Sequence, residues 1–210
     1  MQDFSLARRA MVDSQLRPEA VTDRGVLAAM ATVERERFVP EAARALAYFD
    51  RPLPLSNGRA MMPPAALGRL LSELAPRPGE RALIVGSGTG YSAALLLAIG
   101  LEVVALESDE FLASSARDAG IETVTGNLAE GWKKGAPYDV ILLDGAVEEI
   151  PSTMIKQLAP DGRLAGATLD RGVTRLVIGR AVGDSFGLRS LADADVDSLP
   201  GFERPRAFTF

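Results

Sequence analysis

Three glycines at alternate positions, Gly86, Gly88 and Gly90, close an apolar run in the segment Arg-Ala-Leu-Ile-Val-Gly-Ser-Gly-Thr-Gly-Tyr at residues 81–91. A turn without Cβ atoms lets backbone come close to a ligand, and a helix expected from Tyr91 to Ile99 would aim its first N–H groups there. A dinucleotide fingerprint, G-x-G-x-x-G, needs its third glycine where this chain has Tyr91. A second apolar run, Leu101 to Leu106, ends in Glu107, 21 residues after Gly86. A carboxylate in that place can accept hydrogen bonds from both hydroxyls of a ribose. The spacing thus implies adenosine without a pyrophosphate, and favours S-adenosylmethionine over NAD.

Open parallel sheets bind ligands beyond the carboxyl ends of their strands, so further chemistry is expected directly after each apolar run. Those places are residues 86–91, 107–109, 126–128 and 144–147. The expected cofactor-contacting set is Gly86, Ser87, Gly88, Gly90, Tyr91, Glu107, Ser108, Asn127, Leu128 and Asp144. Asn127 reads either as a hydrogen-bond partner for the adenine edge, with Leu128 against its face, or as an ordinary turn asparagine. Asp144 ends Val-Ile-Leu-Leu and either orients a methyl acceptor or caps a loop or helix. Trp132 either walls the adenine or packs in the core. The chain has no cysteine and no histidine, which removes thiolate nucleophiles, disulfides and the commonest base and metal ligand, and no metal site is expected.

The elements that must hold these groups are legible in order. Phe4, Ala7, Met11 and Leu16 recur at near-helical spacing up to Arg17-Pro18, and a second helix, capped by Thr22 or Asp23, carries Val26, Leu27, Met30 and Val33 on one stripe before Pro40. Residues 48–64 contain four prolines and read as an extended loop that shapes a site. A helix is expected from Pro64 to Leu74, with Leu67, Leu70, Leu71 and Leu74 on one face. Strands and helices then alternate: strand Leu101–Leu106, helix Asp109–Ala119, strand Glu122–Thr125, strand Asp139–Leu143, helix Ser152–Leu158 and strand Arg163–Ala167. Thr174–Val182 and Gly187–Leu191 read as an antiparallel pair. The fold class is α/β: a mostly parallel sheet wrapped by helices on both faces, with antiparallel C-terminal strands and an N-terminal helical cap. One domain over residues 1–210 is expected, with 1–78 as N-terminal helices and substrate-side loop and 79–210 as cofactor-binding core.

Composition narrows the partners. With 210 residues, 47% hydrophobic and 24% charged, the chain has enough apolar content for a full core. A net charge of -5 argues against a nucleic-acid footprint, which needs clustered Lys and Arg. No apolar run reaches about 18 residues, and Met-Gln-Asp-Phe-Ser lacks a basic n-region followed by an apolar h-region, so neither a membrane nor an export signal is expected and the location reads as cytoplasmic.

Several stretches, taken together, resemble the protein-L-isoaspartate O-methyltransferases. They are Ala-Met-Ala-Thr-Val-Glu-Arg-Glu-Arg-Phe-Val-Pro (29–40), Ala47-Tyr48 and Asp50 with Pro52-Leu53-Pro54-Leu55, Val-Gly-Ser-Gly-Thr-Gly-Tyr (85–91), and Ile150-Pro151 with Gln157-Leu158. The resemblance covers roughly residues 10–170, and it implies a Rossmann-like S-adenosylmethionine-dependent methyltransferase fold and methyl esterification of isoaspartyl carboxylates in damaged proteins. A carboxylate acceptor is already ionised near pH 7, so that chemistry needs positioning more than a base. The family's loop carries a Gly-Gln-Thr-Ile-Ser run whose hydroxyls engage substrate, and this chain reads Gly58-Arg59-Ala60-Met61-Met62 there. Ile84 stands where an acidic residue is usual, Gly126-Asn127-Leu128 where Gly-Asp-Gly is usual, and Asp144 where threonine is typical. Arg59 either replaces the hydroxyls by pairing with a peptide or protein carboxylate, for which a guanidinium fork is suited, or is a solvated loop arginine. Three classes stay open: an isoaspartyl carboxyl methyltransferase, a methyltransferase of the same lineage with another acceptor, and a non-catalytic S-adenosylmethionine-binding module.

Overall fold

In the computed structural model, which describes residues 3–183 and 185–204, the chain starts with a capped helix. The Asp3 carboxylate accepts from the N–H groups of Ser5 and Leu6 and so opens α1 (Phe4–Met11), which widens into a π turn over Val12–Leu16. Asp23, rather than Thr22, caps α2 (Arg24–Thr32) by accepting from Val26 N–H. Two 3₁₀ turns follow, Arg35–Phe38 and Glu41–Leu46. The proline-rich stretch is not wholly extended: it folds into a short hairpin of β1 (Leu53–Pro54) and β2 (Ala60–Met61). Pro64 sits in the first turn of α3 (Pro64–Leu74), where its missing N–H costs nothing, and Leu67, Leu70, Leu71 and Leu74 are fully buried.

The alternating half forms β3 (Arg81–Val85), α4 (Tyr91–Ile99), β4 (Glu102–Glu107), α5 (Glu110–Asp118), β5 (Thr123–Thr125), β6 (Tyr138–Val147), α6 (Ser152–Ile155), β7 (Leu158–Asp170), β8 (Val173–Val182) and β9 (Ser185–Asp193). The seven-stranded sheet runs β5-β4-β3-β6-β7-β8-β9. From β5 through β7 all pairings are parallel, and β7, β8 and β9 form an antiparallel meander. Two expected boundaries move for one reason, backbone pairing. Leu158 already pairs with Tyr138, so the helix expected to Leu158 stops at Ile155, and β7 outlasts Ala167 because β8 pairs with it out to Asp170–Val173.

Alternation along the central strands divides the core. Ala82 and Ile84 of β3 and Val140 and Leu142 of β6 face a cluster shared with α1, α2, α3 and α4, while Leu83, Val85, Ile141 and Leu143 face a second cluster with Met154, Leu199 and Phe202. Ile84 is fully buried in the first, where a carboxylate would lack a partner. The segment after β9 returns to the sheet: Ala146 N–H donates to Asp197 O at 2.8 Å, and Leu199 N–H donates to Ala146 O at 2.8 Å. Among the described residues no helix is long and apolar enough to cross a membrane.

Arg163 of β7 is the polar pin between the two halves. Its guanidinium donates to Leu74 O at 2.7 Å and Ala75 O at 3.2 Å, which end α3, and to both Glu80 oxygens at 3.0 and 2.7 Å. Burial would raise the Glu80 carboxyl, but the Arg163 and Arg77 hydrogen bonds outweigh it and hold the group below its ordinary value. Arg163→Met would leave the Glu80 carboxylate without its counter-charge, held only by Arg77 N–H, and two carbonyls without this donor. The expected cost is about 3 kcal/mol, read as a lowered urea midpoint with an unchanged slope.

Candidate functional site at the carboxyl edge of the sheet

The glycine turn has the form its sequence demands. Gly86, Gly88 and Gly90 have φ of 76°, 56° and 95°, a region that L side chains rarely adopt, and Gly90 is the N-cap of α4. Gly86 and Ser87 N–H both donate to Leu106 O, at 2.9 and 3.1 Å, which ties the turn to β4. Gly88 N–H donates to Glu107 Oε2 at 2.8 Å.

Glu107 is the centre of the site and is fully buried. Its Oε1 accepts from Ser108 N–H at 2.7 Å, Asp109 N–H at 3.1 Å and Arg59 Nη1 at 2.7 Å. Ser108 is exposed and meets the carboxylate chiefly through its backbone, its hydroxyl donating to the same oxygen at a longer 3.4 Å. Arg59 is neither solvated nor directed at an external acceptor. It is 7% exposed, and its Nη2 donates to Gly86 O at 3.0 Å. The reason is electrostatic: a buried carboxylate needs a counter-charge, and the guanidinium reaches it from the hairpin beside the turn.

Asp144, at the end of the expected strand core, lies within the longer β6, and its side chain accepts a very short hydrogen bond from the Ser92 hydroxyl of α4. Burial pushes its carboxyl up to about 6, against the opposing pull of Ser92, Arg59 and Arg35. Tyr91 is buried beneath the Arg35 guanidinium, 4.8 Å from the ring centroid, and its ring meets Phe38 at 5.7 Å. Asp144, Tyr91, Ala60, Met61, Leu55 and the turn residues 86–89 enclose a cavity of about 10 Å³. That is about the size needed for a single water.

The remaining expectations divide. Asn127 is exposed and its side chain accepts from Ala129 N–H at 3.0 Å, so it is a turn cap and not aimed into the site. Leu128 is buried in the cluster that includes Leu199. Trp132 packs partly buried against that cluster, with Lys134 over its ring at 5.4 Å, and Gln157 Oε1 accepts from its N–H. Three contributors were not singled out from the sequence as site residues. Arg35, fully buried, donates to Ala47 O and Met62 O at 2.7 Å each. Ser92 holds Asp144. Leu199 covers the turn so closely that a Cβ on Gly86 would lie 2.5 Å from its Cδ2 and one on Gly145 would lie 2.7 Å from it. The third had a signal, since Val196, Leu199 and Phe202 recur every third position between polar and turn residues at 195–203.

The donor chemistry, a glycine turn and a strand-end glutamate, suits an adenosyl cofactor. The space does not in this arrangement, because Arg59 holds Glu107 and Leu199 covers Gly86.

The sheet order and the turn-plus-glutamate edge define a Rossmann-like S-adenosylmethionine-dependent methyltransferase fold. Two solved structures share it: a protein-L-isoaspartate O-methyltransferase with TM-score 0.82 at 21% identity, covering 92% of this chain and 66% of that one, and a Plasmodium falciparum protein described as a putative protein-L-isoaspartate O-methyltransferase in complex with S-adenosyl-L-homocysteine, with TM-score 0.78 at 20% identity, covering 91% and 97%. Residues 7–168 match the family described as Protein-L-isoaspartate(D-aspartate) O-methyltransferase. Protein-L-isoaspartate O-methyltransferase of Koribacter versatilis is 40% identical over 168 residues, covering 77% of this chain and 76% of the relative. Protein-L-isoaspartate O-methyltransferase 1 of Rhodopseudomonas palustris is 37% identical over 211 residues, covering 95% and 85%. The chain belongs to the protein-L-isoaspartate O-methyltransferase family, whose members are enzymes that use S-adenosylmethionine.

The raised Asp144 carboxyl has a thermodynamic consequence. Its folded value of about 6 lies above the ordinary 3.8, so between those values the folded state holds the extra proton and stability falls as pH rises. Asp144→Asn keeps the Ser92 hydrogen bond and removes the titration. The variant is expected to gain about 1–3 kcal/mol at pH 7 and little at pH 4, measured by denaturant melts across that range.

Proposed function

We propose that the protein methylates a carboxylate on a peptide or protein, the isoaspartyl side chain being the acceptor for which its family is named, and that residues 1–210 act as one methyltransferase domain. The observation that carries this reading is the family match itself, which runs from residue 7 to residue 168 and so includes the N-terminal cap, the hairpin and the glycine turn. S-adenosylmethionine supplies the transferable methyl group. A carboxylate acceptor arrives ionised near pH 7, which accords with a chain that has no histidine to act as base.

The roles assigned to this chain's residues are positional. Glu107 and the turn 86–90 form the cofactor side, and Ala60, Met61 and Asp144 wall the cavity next to it. Arg35 holds the end of the hairpin through Met62 O, fixing where Ala60 stands. With its carboxyl near 6, Asp144 carries a proton for part of the time and can donate it in a hydrogen bond to an acceptor carboxylate, since two close carboxyls share one proton more readily than they bear two charges. Of the two positions at which family hydroxyls are replaced, only Ala60 lines the cavity, whereas the Met62 side chain belongs to the core. Nothing beyond a peptide carboxylate is assigned as partner, and a cytoplasmic site of action is part of the same proposal.

Radiolabelled methyl transfer to an isoaspartyl peptide, with the aspartyl isomer as control, tests the assignment. The isoaspartyl peptide should be labelled and its isomer should not. Ala60→Thr restores a donor worth about 1–3 kcal/mol if it engages the acceptor in the transition state, and is expected to raise kcat/KM roughly tenfold or more. Labelling of neither isomer, together with labelling of another carboxylate, would move the protein to a different acceptor.

A further inference from the structure

We propose that Arg59 and the C-terminal segment 194–202 form an internal plug that occupies the cofactor cleft, so that S-adenosylmethionine or its product enters only by displacing both. The inference rests on the cofactor reading above and goes beyond it, because it concerns which of the chain's own residues stand in the cleft.

Glu107 is the first part of the argument. A carboxylate offers about two lone-pair sites per oxygen, and three donors crowd Oε1 within 3.1 Å, Arg59 Nη1 and the N–H groups of Ser108 and Asp109, while Gly88 N–H takes Oε2 at 2.8 Å. The three backbone donors belong to the turns that shape the edge, so the guanidinium is the one that stands where a ribose diol would bind. It is also a cation, and its charge lowers the Asp144 carboxyl against burial. A sulfonium cofactor brings a positive charge to the same carboxylates, so the two compete in charge as well as in space.

Leu199 is the second part. It is 4% exposed and presses on the backbone of Gly86 and Gly145, the residues that follow β3 and lie in β6, at the two sides of the cleft. Its segment is tied alongside β6 by Ala146 N–H to Asp197 O and Leu199 N–H to Ala146 O, and beyond it by Arg204 N–H to a Glu148 carboxylate oxygen at 2.8 Å. Phe202 is buried nearby at 5% exposure. What remains open is about 10 Å³, against several hundred for a nucleoside-sized ligand. Yet the Ser87 hydroxyl on that cavity is buried with no hydrogen-bond partner among the described residues, an orphan that a polar ligand would satisfy.

The plug is built to come out. Arg59 lies at the end of a hairpin tip whose Asn57 and Gly58 are exposed, and Asp195, Asp197, Ser198, Pro200 and Gly201 of the segment are exposed as well. Withdrawal breaks the Arg59–Glu107 pair on one arm and the backbone bonds to Ala146 on the other, and the apparent affinity is the intrinsic affinity multiplied by the fraction of time the cleft is open.

The test is titration calorimetry of S-adenosylhomocysteine with the parent, Arg59→Ala and Leu199→Ala, together with chymotrypsin cleavage at Phe202 followed by mass spectrometry. Each variant should bind at least tenfold more tightly than the parent, and saturating the parent should speed cleavage after Phe202. Leu199→Ala guards against loss of fold in Arg59→Ala, since it leaves the Glu107 pair intact. Parental binding as tight as that of both variants, with Phe202 equally protected with and without ligand, would overturn the plug while leaving the cofactor reading in place. Failure of all three chains to bind S-adenosylhomocysteine, while folded by circular dichroism, would instead remove the cofactor reading and the plug with it.

Discussion

A single buried carboxylate organises the carboxyl edge of this sheet. Glu107 cannot be left uncompensated out of water, and the donors that satisfy it come from three different elements. Gly88 brings the turn between β3 and α4, Ser108 and Asp109 bring the start of α5, and Arg59 brings the hairpin. Asp109 then caps α5 through Phe111 and Leu112 N–H, so the same residue that serves the carboxylate also starts the next helix. Weakening that charge would loosen three connections at once, which is why a residue read for ligand binding also belongs to the architecture.

The N-terminal cap is held by a comparable device on the other side of the glycine turn. The buried Arg35 guanidinium lies over Tyr91, the first residue of α4, and reaches the carbonyls of Ala47 and Met62. Arg8, Tyr48 and Glu36 form a second buried set beside it, Arg8 donating to both Tyr48 Oη and Glu36. Burial leads the causes that push the Tyr48 hydroxyl above its ordinary value, and it gives a short hydrogen bond to Glu36. The hairpin that carries Ala60 and Arg59 is thus positioned from both ends: Arg35 fixes its exit, and Glu107 fixes the side chain at its tip. Arg59, Ala60 and Asp144 all lie along this seam between the hairpin and the sheet edge.

Much of this was readable because it depends on local rules. The unbroken apolar runs of β3 and β6, the glycines at 86, 88 and 90, a cap at Thr22 or Asp23, Pro64 at a helix start, and the antiparallel tail all follow from backbone sterics, capping and burial on two faces. These operate within a few residues, so the chain declares them. The hairpin at 53–61 was hidden because each strand is two residues long and offers no period to count. The longer β6 and β7 were hidden because pairing with neighbours, rather than propensity, decided their ends.

By itself, then, the sequence determined the strand–turn–helix unit at 81–99, the acidic end of β4 and the parallel alternation around them, because those rest on spacing along the chain. Tertiary structure alone decided what fills the space they create. Arg59 pairs with a glutamate 48 positions away, and Leu199 lies over Gly86 across 113 positions. No local periodicity encodes such contacts: a long cationic side chain on a loop looks the same in sequence whether water or a buried carboxylate solvates it. Only the fold, by bringing the hairpin and the C-terminal segment to the same edge, supplied the low-dielectric partner that turned one arginine inward and closed the cleft.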